Sequence, residues 1–125
     1  MPKFEFTVRG HKPKAYSTYE EEWKTQLATS AREAAMSAGI ALPQTEVPVY
    51  VQAVFYLLEE TLMRTDVDNL AKPLLDVLFR ASPRRPDSQT GALFPFDDRF
   101  VTRLSLEKLR AADDSAQGCD VSVEW

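Results

Sequence analysis

The sequence predicts a single α/β domain, a mixed β-sheet packed with two helices in the order β-α-β-α-β-β, and three observations lead there. Phe4, Phe6 and Val8 alternate with Lys3, Glu5, Thr7 and Arg9, the period-two pattern of a half-buried strand. Trp23, Leu27, Ala31, Ala34, Ala35 and Ala38 recur at helical spacing instead. The whole chain is 125 residues with 44% hydrophobic and 27% charged side chains, enough for one core and too short for two. Strands and helices that alternate along so short a chain pack as layers around one sheet.

Each element has its own signal. Gly10 to Ser17, with Pro13, is polar and reads as a loop after the first strand. Thr18 and Glu21 form a T-x-x-E capping box, so the first helix is expected over about Tyr19 to Ala38, and Gly39 ends it. Pro43 and Pro48 bracket a loop. From Val49 to Leu58 both alternating faces are apolar, which predicts a central strand covered on each side. Glu59 to Thr65 is a polar exit, and a second helix is expected from about Leu70 to Arg80, with Leu70, Leu74, Val77 and Leu78 as its core stripe. Pro73 belongs in the first turn of a helix, which sets that start near Asn69 or Leu70. Ser82 to Phe96, with Pro83, Pro86, Gly91 and Pro95, is a long loop, and loops of that length in small domains carry function or lack order. Phe100, Thr102, Leu104 and Leu106 alternate with Val101, Arg103, Ser105 and Glu107 as a third strand. Cys119, Val121, Val123 and Trp125 form a fourth. No repeat and no second domain interrupts residues 1–125.

Composition narrows the function classes. One cysteine excludes an internal disulfide framework and suits a reducing cytoplasm, with Cys119 read as an apolar filler. Met1 to Gly10 lacks the apolar run of a signal peptide, and no stretch approaches a membrane span, so a soluble cytoplasmic protein is expected. A net charge of −4 weighs against nucleic-acid binding. The charge is uneven, though. Between residues 72 and 110, Lys72, Arg80, Arg84, Arg85, Arg99, Arg103, Lys108 and Arg110 outnumber Asp76, Asp87, Asp97, Asp98 and Glu107.

The stretch that carries chemistry is Arg64-Thr-Asp-Val-Asp-Asn-Leu-Ala-Lys72, with Asp76 and then Phe96-Asp97-Asp98. In an extended segment, Asp66 and Asp68 point the same way and can converge on one hard cation. Lys72 lies four residues beyond Asp68, over the same helix face, within reach of a phosphate. A second reading stays open here, in which Asp68 or Asn69 only caps a helix and Asp97-Asp98 is a solvated turn. An EF-type calcium loop fails, because its sixth and twelfth positions hold Ala71 and Val77. A D-x-D phosphotransferase fits poorly, since seven mostly polar residues separate Leu58 from Asp66.

Asp66-Val-Asp68-Asn69-Leu70-x-Lys72, then Asp76-x-Leu78 and Asp97-Asp98 before a strand, resembles the RusA family of Holliday-junction endodeoxyribonucleases, over about Arg64 to Arg103. The segment Arg9 to Lys14 and the long gap between Asp76 and Asp97 depart from the family pattern, as does the acidic net charge. The resemblance implies a homodimer of α/β protomers that cuts branched DNA with Mg²⁺, or Mn²⁺ in its place. It implies Asp66, Asp68 and Asp98 as metal-binding catalytic acids and Lys72 as the basic residue at the scissile phosphate. Arg64, Arg84, Arg85 and Arg103 are candidate backbone contacts to DNA. The rival expectation is a protein of the same fold that binds nucleic acid, or assembles on it, without cutting.

Overall fold

Why these residues make a sheet with one covered face is plain from the alternation along its strands. The computed structural model describes residues 2–14, 20–80 and 92–125. Its elements are β1 (Lys3–Arg9), α1 (Glu20–Ala38), β2 (Val49–Leu57), α2 (Glu59–Leu62), α3 (Val67–Leu78), β3 (Val101–Arg110) and β4 (Gly118–Glu124). The sheet order is β1-β4-β2-β3, with β4 antiparallel to both neighbours and β2 parallel to β3. This is the mixed α/β domain expected, with one extra short helix, α2, in the polar exit from β2.

The core lies between the helices and one face of the sheet. Phe4, Phe6 and Val8 of β1 bury there beside Val51, Ala53 and Phe55 of β2 and Cys119, Val121 and Val123 of β4. From α1 come Trp23, Leu27, Ala31 and Ala35, a stripe at four-residue spacing; from α3 come Leu70, Leu74 and Leu78. Gly39 takes φ 64° just past α1, and its N–H donates to Met36 O at 3.1 Å. Gly118 has φ 147°, and a Cβ there would lie 1.8 Å from Val8 O, so β1 and β4 can approach only across a glycine. The Thr18 capping residue lies outside the described residues.

Two expectations need correction. β2 is central but covered on one face only: Tyr50, Gln52, Val54 and Tyr56 line an open face that no described helix packs against. The two tyrosine rings are used in stacking instead. The Arg9 guanidinium lies 4.7 Å from the Tyr56 ring centre, and Arg103 lies 4.7 Å from Tyr50. Second, α3 begins at Val67 rather than near Leu70, which places Pro73 well inside it. The helix tolerates this proline because its ring is buried and one backbone bond is the loss. The first turn is also tightened by Asn69 N–H donating to Asp66 O at 3.1 Å, three residues back.

Candidate active site

β2 leads through α2 into α3, which returns along the sheet, so the two ends of α3 lie near opposite ends of β3. At the first end, Lys108 points from β3 toward the helices and donates to Leu62 O at 2.5 Å and Thr65 O at 2.6 Å. This clamps the turn that presents Asp66. Asp66 itself occupies the position before α3, with extended backbone (φ −71°, ψ 131°), yet its carboxylate makes no capping hydrogen bond. Asp68 sits in the first turn, exposed. Among the described residues neither carboxylate takes part in a side-chain hydrogen bond or ion pair. With Asp68 helical, the expected extended i, i+2 alignment of the pair is replaced by one carboxylate before the helix and one on its first turn. The Arg64 side chain is exposed two residues ahead of Asp66.

Along α3, Asp68, Lys72 and Asp76 succeed one another every four residues and share a face. Asp76 pairs with Lys24 of α1 at 3.2 Å, tying the two helices together. Near this second end come Asp97 and Asp98, on the short helical turn that leads into β3. Asp97 caps that turn by accepting from Arg99 N–H at 2.9 Å. Burial holds the Asp98 carboxyl above the usual carboxylate range, and its hydrogen bond to Asp97 and the charges of Asp97 and Asp76 push it the same way.

The structure therefore brings Asp98 together with Asp97 and Asp76, and leaves Asp66 just before α3 and Asp68 on its first turn, the latter about 12 Å of helix from Asp76 at about 1.5 Å per residue. Among the described residues no group of three His, Cys, Asp or Glu side chains is gathered closely enough to hold a metal ion. The donor chemistry nonetheless fits a hard divalent cation: Mg²⁺ is commonly held by one or two carboxylates together with water and substrate phosphate. No family model of known proteins matches the chain, and no curated protein does.

Arg103 lies on the open face of the sheet, away from the helices that carry Asp66 and Asp68. Arg84 and Arg85 lie outside the described residues. Cys119 is fully buried and its thiol is pushed up to about 12, mainly by burial, so it is an inert filler. No described helix is long and apolar enough to cross a membrane.

Two groups escaped the sequence reading. Lys108 follows Leu104 and Leu106 on the helix-facing side of β3, and a lysine on the apolar side of a strand signals a partner to be found. On the open face, Asp120 accepts from Thr7 Oγ1 at 2.9 Å, from Arg9 at 2.8 Å and from Tyr56 at 2.8 Å. Burial pushes Asp120 up, but these three hydrogen bonds and the Arg9 charge outweigh it and hold the carboxyl below its ordinary value. Its members come from three strands, and nothing in the sequence joins them.

Proposed function

We propose that this chain is a metal-dependent endodeoxyribonuclease acting on branched DNA, resolving Holliday junctions by paired incision during recombination and repair in the cytoplasm. The observation that carries this reading is the state of Asp66 and Asp68. An aspartate ahead of a helix usually earns its place by capping, and Asp66 does not cap. Two exposed carboxylates held on a clamped turn, with Lys72 one turn further on, make a better phosphodiester site than a helix start.

Asp66 and Asp68 would hold Mg²⁺, or Mn²⁺ in its place, through oxygen donors, and Asp98 is the third acid that the resemblance implies. The ion supplies Lewis acidity and a water of lowered pKa. Lys72 lies on the same face as Asp68, where it meets a non-bridging phosphate oxygen and offsets the charge that grows on it. Arg64, beside the acidic pair, positions the DNA backbone without reading sequence. A homodimer offers two such sites to the two strands that must be cut.

The second reading, binding or assembly on nucleic acid without cutting, is favoured by one specific observation: Asp98 stands apart from Asp66 and Asp68 within the protomer. Cleavage assays on a synthetic four-way junction separate the two. Nicks that need Mg²⁺ and vanish in Asp68→Asn support the nuclease; junction binding without incision in any divalent cation supports the rival.

A further inference from the structure

The segment that follows β1 and the first turn of α1 border a cavity of about 230 Å³. Its described lining is Gly10, His11, Lys12, Lys14, Glu22 and Trp23. The segment is anchored, since Gly10 N–H donates to Gln117 O at 2.8 Å and Pro13 is buried. Trp23 belongs to the core and is only 2% exposed. Its indole Nε1–H is buried and has no acceptor among the described residues. A buried indole N–H ordinarily finds an acceptor, and an orphaned one marks the place of a partner.

What the cavity asks for follows from its lining. Lys12 and Lys14 bring two positive charges against the one carboxylate of Glu22, which is exposed. Lysine offers only donors, and the His11 imidazole carries at least one N–H in either protonation state. Together with the indole, donors come from four side chains, and the group they can share is an acceptor with several oxygens. A single water needs only about 10–15 Å³, so both the space and the donor count exceed one water. We propose that this cavity binds a phosphate-type oxyanion, held by Trp23 Nε1–H with Lys12, Lys14 and His11 around it.

Arg9 and Tyr56 both pair with Gly118, so β1 and β2 end on the same side of the sheet. The cavity thus lies at the sheet end from which β2 leads through α2 to Asp66. The oxyanion has two possible sources. One is a backbone phosphate of bound DNA, and this source rests on the nuclease reading. The other is a free phosphate ion or monoester, which needs no nucleic acid.

The test is a titration of the full chain with inorganic phosphate at constant ionic strength, followed through the indole N–H resonances by NMR. The chain has two tryptophans, so Trp23→Phe assigns the Trp23 signal and Trp125 serves as the internal control. The Trp23 resonance is expected to shift saturably while that of Trp125 stays still. Lys12→Ala, at an exposed position that the core does not need, weakens the phosphate affinity by about tenfold. Acetate at the same concentration leaves Trp23 unmoved. A Trp23 signal that ignores phosphate, moves alike with acetate or chloride, or titrates equally in Lys12→Ala overturns the pocket. Repeating the titration with a four-way junction bound in chelator distinguishes the sources. A junction that abolishes the phosphate shift makes the anion a DNA phosphate; a bound junction that leaves the shift intact makes it a free phosphate. Failure to bind any DNA removes the nucleic-acid readings, and the pocket then stands or falls on the phosphate titration alone.

Discussion

Asp66 is at a position where an aspartate normally stabilises a helix, and loss of a working N-cap costs about 1 kcal/mol. Because its carboxylate caps nothing, Asp66→Ala should fall well short of that in a urea melt while abolishing metal-dependent cleavage. A cost of the full capping size would return Asp66 to a structural role. Asp120 makes the opposite case, a carboxylate fully engaged by Tyr56, Thr7 and Arg9. Its folded value lies below the unfolded one, so its contribution to stability is present above the ordinary carboxylate value of about 3.9 and is lost as pH falls through the depressed folded value. Stability measured from pH 6 down to pH 2 should fall more steeply for the wild type than for Asp120→Asn, and Tyr56→Phe should lie between them. Parallel curves for wild type and Asp120→Asn would show that the open-face cluster contributes nothing. Neither of these roles could be read from residue type alone, since an aspartate that caps and one that does not look the same in a sequence.

At the scale of elements, periodicity carried β1, β2, β4 and α1 to within a residue or so, and β3 except for its last three residues, because each has one buried face and an alternation or stripe. It failed at α3 and at one face of β2. Pro73 argued for a late helix start, but a buried proline costs one backbone bond and the apolar stripe of Leu70, Leu74 and Leu78 outweighs it. Tyr50, Val54 and Tyr56 looked like a second buried face, whereas they lie on an open one where the two tyrosines support stacked arginines. The clamp between β3 and the α2–α3 turn is similarly tertiary. Lys108→Met should leave Leu62 O and Thr65 O without their donor and cost about 1–3 kcal/mol, with a larger loss of cleavage than of folded protein. Stability and junction cleavage measured side by side check this; an active, fully stable Lys108→Met would show that the clamp holds nothing of consequence. Gly118→Ala tests the sheet itself. With Val8 O only 1.8 Å from the added Cβ, β1 must shift, and a loss of about 2 kcal/mol is expected in the melt.

Among the described residues the molecule is a sheet with helices on one face, an open polar face on the other and β3 as an edge strand. Its fold class was readable from composition and alternation; the stretch from Asp66 to Asp98 was singled out by its motif, and its chemistry is a proposal. How Asp98 relates to Asp66 was not readable, because it depends on which way α3 runs back along β3. The most direct test of the nuclease is incision of a synthetic four-way junction at low salt, in Mg²⁺ and in chelator, by wild type and Asp68→Asn. Paired nicks across the junction, present with Mg²⁺ and absent in chelator and in Asp68→Asn, are the result expected. A folded protein that binds the junction and cuts it in no divalent cation, or an Asp68→Asn variant that cuts like the wild type, would contradict the assignment.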